Sequence, residues 1–129
     1  MSHLEEVKTL RANPDHHYNC CQSLLIAFSD VTGLSKEQSD ALGADFGAGM
    51  NHGATCGTLT AALMILGMKG YDKKTAADLI MKFKDKHEYT DCAHLLGKAR
   101  EQGIQRKPHC DGLVFEMCET LDQILAGNN

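Results

Sequence analysis

The chain has no tryptophan, two prolines, and few aromatics, which make up 5% of its residues. That excludes a sandwich of short strands punctuated by proline-rich turns. It also lacks an excess of positive charge: 13 Lys and Arg stand against 17 Asp and Glu, giving a formal net charge of −4. Nucleic-acid and anionic-membrane surfaces are therefore not expected partners. From Phe46 to Met68 there is no Asp, Glu, Lys or Arg, but glycines, Asn51, His52 and threonines interrupt the run. This predicts a buried helix rather than a membrane span. The opening Met-Ser-His-Leu-Glu-Glu has neither the basic nor the apolar region of a signal peptide. A cytoplasmic protein in a reducing compartment is the expectation. Two cysteine motifs are missing as well. There is no C-x-x-C, hence no thioredoxin-type pair or zinc ribbon, and no C-x-x-C-H for covalent haem.

What is present is helical periodicity over 129 residues, enough for one domain spanning residues 1–129 with a real core. Ser2 and Glu5 read as a capping box for a helix to about Arg11, which Asn13-Pro14 ends. Asn19 with Gln22 opens a second helix, with Leu24, Leu25, Phe28 and Val31 at helical spacing and Gly33 as its stop. Ser35 with Gln38 opens a third, to Phe46. A glycine loop runs from Gly47 to Gly53. Thr55 is expected to cap the most apolar helix, Asp72 the next, and Thr90 the one after, which Gly103 ends. Pro108 suits the first turn of a last helix to about Ala126. Nothing alternates with period two for long enough to make a strand. The fold expected is all-α, a compact bundle of six or seven helices.

Six cysteines, Cys20, Cys21, Cys56, Cys92, Cys110 and Cys118, are many for a protein of a reducing compartment. On the caps just given, Cys20, Cys56, Cys92 and Cys110 each fall in the first turn of a different helix. A helix N-terminus carries unpaired N–H groups and partial positive charge, which favour thiolate. Each of the four also heads an apolar seam: Cys20 with Leu24, Phe28 and Val31; Cys56 with Leu59, Leu63 and Leu66; Cys92 with Leu95, Leu96 and Ala99; Cys110 with Val114, Met117, Leu121 and Ile124. If those helix starts gather at one end of the bundle, they build a buried four-sulfur site. Cys118 reads as packing, and Cys21 as packing or a reserve thiol.

Seven histidines accompany them. His16, His17 and His52 precede Cys20, Cys21 and Cys56 by four residues, and His109 adjoins Cys110. Imidazolium lowers a neighbouring thiol pKa and neutral imidazole ligates metal, so His16, His52 and His109 join the four cysteines as candidate ligands. His3, His87 and His94 are expected to face solvent. The glycine loop lacks the Lys-Ser/Thr ending of a phosphate loop. Neither a paired-carboxylate site nor a Ser-His-Asp site stands out.

The motifs resemble those of the redox-active protein family labelled C-GCAxxG-C-C, over nearly the whole chain. Tyr18-Asn19-Cys20-Cys21-Gln22 is similar to its Y-N-C-A-Q block, and Phe46-Gly47-Ala48-Gly49-Met50 to its F-G-G-G-M turn. Cys56-Gly57-Thr58-Leu59-Thr60-Ala61-Ala62-Leu63-Met64 is similar to its C-G-A-x-x-G-A-L-M helix, with Thr58 and Ala61 replacing alanine and glycine. Asp91 to Gly97 and His109-Cys110 resemble the blocks around the third and fourth cysteines. The resemblance implies a redox or metal-linked role for the same four cysteines. Three readings stay open: thiol–disulfide or electron-transfer chemistry of an oxidoreductase type, a metal centre of zinc or iron–sulfur, and an interaction module whose cysteines only pack. The electron partner and substrate are left open, and a homodimer is compatible with apolar helices in a bundle.

Overall fold

A computed structural model describes residues 2–127. Eight α-helices follow one another: α1 (His3–Arg11), α2 (Cys20–Ala27), α3 (Ser29–Thr32), α4 (Lys36–Gly43), α5 (Gly57–Lys69), α6 (Lys73–His87), α7 (Cys92–Glu101) and α8 (Arg106–Leu125). A π-type turn, Gly49–Gly53, lies between α4 and α5. No strand occurs among the described residues; a single antiparallel bridge joins Thr55 to Asp91. The all-helical class is as expected. The count exceeds six or seven because the apolar segment after Asn19 is two helices and because the glycine loop coils into a turn of its own.

The break after α2 falls at Phe28, whose backbone (φ −97°, ψ 23°) leaves the helical range while its ring stays fully buried. The 3–4 spacing of Leu24, Phe28 and Val31 continues across this break, so periodicity alone does not reveal it. Both caps read from sequence at α2 and α4 are complete boxes: Asn19 and Ser35 accept from the N–H of Gln22 and Gln38, whose side chains bond back. At α1 the Ser2 hydroxyl accepts from Glu5 N–H. Helix α4 stops at Gly43, three residues short of Phe46, because the Asn19 amide takes the carbonyls of Gly43 (3.0 Å) and Ala44 (3.3 Å). One asparagine therefore caps the start of α2 and the end of α4.

Helix α2 is central, packed on α1, α4, α5 and α8. Leu24 and Leu25 of α2, Phe28 at the break after it, Leu59, Ile65 and Leu66 of α5 and Val114 and Leu121 of α8 are at most 1% exposed and meet in one contiguous core. Helix α7 lies on α8 and against the π-type turn. That turn has four successive left-handed residues, Ala48, Gly49, Met50 and Asn51, with φ between 51° and 64°. The conformation is costly for Ala48 and Met50, and bonds from Asn51, Gly53 and Ala54 N–H to the carbonyls of Gly47, Ala48 and Gly49 hold it. Among the described residues no helix is long and apolar enough to cross a membrane.

Candidate functional site

Three close approaches bring the cysteines together. First, α5 begins directly against α2. A Cβ at Gly57 would lie 2.7 Å from the Phe46 carbonyl oxygen and 3.2 Å from Cys20 Cβ, so only glycine lets Cys56 come this near Cys20. Second, the bridge at Thr55 and Asp91 ties the segments before α5 and α7: Cys56 N–H donates to Thr90 O (2.9 Å) and Cys92 N–H to Ala54 O (2.7 Å). Third, Arg11 binds α8 to the end of α1. Its Nε donates to Asp111 (2.7 Å) and one terminal nitrogen to Tyr18 O (2.8 Å), with the side chain 4% exposed. Lys107 adds a bond to Arg11 O (2.9 Å).

The bridge also corrects two caps. Thr55 is occupied in it, so the N-cap of α5 is Cys56 itself. Asp91, not Thr90, caps α7, its carboxylate accepting from His94 N–H (2.9 Å). Cys20 and Cys92 begin their helices as expected. Cys110 does not: α8 starts at Arg106, with Pro108 in its first turn and Cys110 in its second. A proline is tolerated throughout that first turn, where the N–H is unpaired in any case.

Cys20, Cys56, Cys92 and Cys110 all line one internal cavity of about 30 Å³, closed by Gly57, Leu95, Leu113 and His109. That is room for about one water. On its outer side Cys20, Cys110, Ala48 and Arg106 also border an open cavity of about 330 Å³. All six thiols are free.

Electrostatics separate the four. Cys20 and Cys110 form a coupled pair in which the interaction of the two sulfurs favours the thiol on Cys20 and the thiolate on Cys110. The Cys20 thiol is the chief reason the Cys110 thiol titrates at about 6; burial opposes it, Arg11 and Arg106 reinforce it, and Asp111 opposes it. The same interaction, with burial and the nearby sulfurs of Cys110 and Cys56, pushes Cys20 well above the ordinary thiol range. One proton is thus shared by a coupled pair. Burial raises Cys56, although the hydroxyl of Thr58, 3.1 Å from its sulfur, and the N–H groups of Thr58 and Leu59 favour its thiolate. Burial raises Cys92 too. The helix-start effect expected for all four is therefore outweighed at three of them, and the lowered thiol is the one that does not stand at a helix start. Cys21 and Cys118 are fully buried in hydrocarbon and pushed up to about 12, as packing residues are.

The histidines divide differently from expectation. Only His109, among the candidate ligands, lines the cysteine cavity; its Nε2 is buried without a hydrogen-bond partner and burial lowers its pKa. His16 is exposed beside Asp40 and Tyr18, and His52 is exposed on the π-type turn. His3 and His87, expected in solvent, tie elements together. His3 bridges Asp122 (2.6 Å) and Asp30 (2.8 Å) and stacks on Phe28; His87 meets Glu116 at 2.6 Å. Of the three histidines expected in solvent, His94 alone is largely exposed, at 67%. As arranged, no three His, Cys, Asp or Glu side chains among the described residues come together so as to hold a metal ion.

Sequence reasoning missed Arg11, Arg106 and Thr58. Arg106 precedes Cys110 by four residues on one helix, a spacing that places both on one face and could have revealed it. Arg11 could not have been found that way, because its partner Asp111 is a hundred residues distant. Thr58 was visible only as a departure from the family motif.

Neither a search of curated proteins nor one of solved structures gives a match. A comparison with protein families matches residues 18–124 to the family described as "Putative redox-active protein (C_GCAxxG_C_C)". With most of its length and all four motif cysteines inside that match, the chain belongs to the C_GCAxxG_C_C family of redox-active proteins.

Proposed function

We propose that this protein is a cytoplasmic thiol–disulfide oxidoreductase, one domain over residues 1–129, whose working groups are Cys20, Cys56, Cys92 and Cys110. The coupled Cys20–Cys110 pair, which lines both the small cavity and the open one, carries the reading. Thiolate is the nucleophile in exchange and reacts best when the thiol pKa lies near ambient pH, which suits Cys110. In the first step Cys110 sulfur attacks a substrate disulfide, forming a mixed disulfide and expelling one substrate thiolate. Cys20 then gives up its proton and attacks Cys110 sulfur, which closes the Cys20–Cys110 bond and releases the second substrate thiolate. The protein loses two electrons and the substrate gains two. Cys56 and Cys92, protonated and facing the same cavity, supply a second dithiol from which the first bond can be reduced again by exchange. The electron partner is a second thiol couple of the cell.

A Cys20→Ser variant tests the order of attack. Treated with hydroxyethyl disulfide, it is expected to accumulate a stable adduct on Cys110, located by peptide mass mapping, whereas the unsubstituted protein passes through that adduct to the internal bond. Adducts confined to Cys21 or Cys118, or none at all, would contradict the assignment.

A further inference from the structure

The open cavity outside the Cys20–Cys110 pair, about 330 Å³, is within the size range of small-molecule sites. Its wall is charged in one sense. Arg11, Arg106 and Lys107 line it, no carboxylate does, and both thiols of the coupled pair face it. Arg11 and Lys107 share a single counter-charge, Asp111, which is not among the residues lining the cavity. Arg106 is exposed and has no carboxylate partner among the described residues. His17 lies on the same wall, and burial first, then Arg11, Lys107 and Arg106, lower its pKa. A cleft of similar volume between α6 and α8, lined by Lys82, Lys86 and Glu116, carries no thiol.

We propose that this cavity seats a small disulfide bearing carboxylates, with its anionic arms on Arg106, Lys107 and Arg11 and its sulfur–sulfur bond presented to Cys110. The proposal rests on the dithiol reading above and names its substrate class. The exchange is the one already balanced: two carboxylate-bearing thiols leave, and the Cys20–Cys110 disulfide remains. Three cations set against one carboxylate leave a net positive field at the mouth, which raises the local concentration of an anion and favours its approach to a thiolate that would otherwise repel it.

The test uses the fully reduced protein and three disulfides of similar size: dithiodipropionate (two carboxylates), hydroxyethyl disulfide (neutral) and cystamine (two ammonium groups). The rate of Cys20–Cys110 closure with each is divided by that reagent's rate with free mercaptoethanol, which removes intrinsic reactivity. The dianion is expected to exceed the neutral reagent by about tenfold or more at low ionic strength, with the dication slowest. Added salt should shrink the advantage. Arg106→Gln, at an exposed position, should lower the dianion-to-neutral ratio, a quantity that cancels any change in Cys110 reactivity. A ratio near one, or a ratio untouched by salt and by Arg106→Gln, overturns the substrate class while closure by the neutral reagent leaves the dithiol reading standing. Failure of all three reagents to close the pair overturns both.

Discussion

Cys110 titrates at about 6 because the neighbouring Cys20 thiol and two guanidinium groups favour its charge, in spite of burial. Cys56 and Cys92, at the very starts of α5 and α7, stay protonated because burial costs a thiolate more than the helix start returns. The distinction is measurable. The rate of alkylation of the reduced protein should show one fast thiol whose reactivity falls as the pH drops through about 6. Arg106→Gln should move that midpoint upward, since it removes a charge that favours the thiolate. A profile in which every thiol reacts only at alkaline pH would contradict this. These origins also mark what was legible in sequence. The four cysteines, the Asn19 and Ser35 caps and the seam from Val114 to Ile124 could be read because their partners lie within one helical turn. The pairing of Cys20 with Cys110, and of Arg11 with Asp111, depends on how distant segments pack, and no local spacing encodes it.

Among the elements, the junction of α2 with α5 sets the sulfur geometry, and Gly57 makes it possible. A methyl group there meets backbone at Phe46 and cannot be relieved by rotating a side chain. Gly57→Ala should destabilise the protein by roughly 1–3 kcal/mol through overpacking and also raise the Cys110 midpoint by forcing the two helix starts apart. Chemical denaturation reads the first effect and alkylation the second; an unchanged midpoint in both would dispose of the idea. A second tie is His3, which holds α1 against α3 and α8 through Asp30 and Asp122. Burial alone would lower its pKa, but the two carboxylates outweigh burial and raise it above 6.5. The stabilisation this supplies is fully present below 6.5 and is lost as the pH rises through the raised value. His3→Gln should therefore lower the melting temperature in mildly acidic buffer and matter little in alkaline buffer. A deficit that grows with pH would be the wrong sign. The boundary corrections belong to this scale as well. Thr55 and Asp91 were available to pair with each other, so the caps moved to Cys56 and Asp91, and the segment through Phe28 split because packing overrode a continuous apolar spacing.

For the molecule as a whole, helices from both ends of the chain converge on one small cavity, with a charged and open pocket on its outer side and hydrocarbon beneath. Cys20 and Cys110 border the open pocket, buried Cys56 and half-buried Cys92 line only the small cavity, and Cys21 and Cys118 pack in the core. That division makes a specific statement about bond order. Treating the reduced protein with one equivalent of a disulfide oxidant, quenching by alkylation and mapping the bridges by mass spectrometry tests it most directly. The Cys20–Cys110 bridge should form first and in highest yield, with Cys21 and Cys118 alkylated only after unfolding. Six unchanged thiols, or first bridges that include Cys21 or Cys118, would contradict the account.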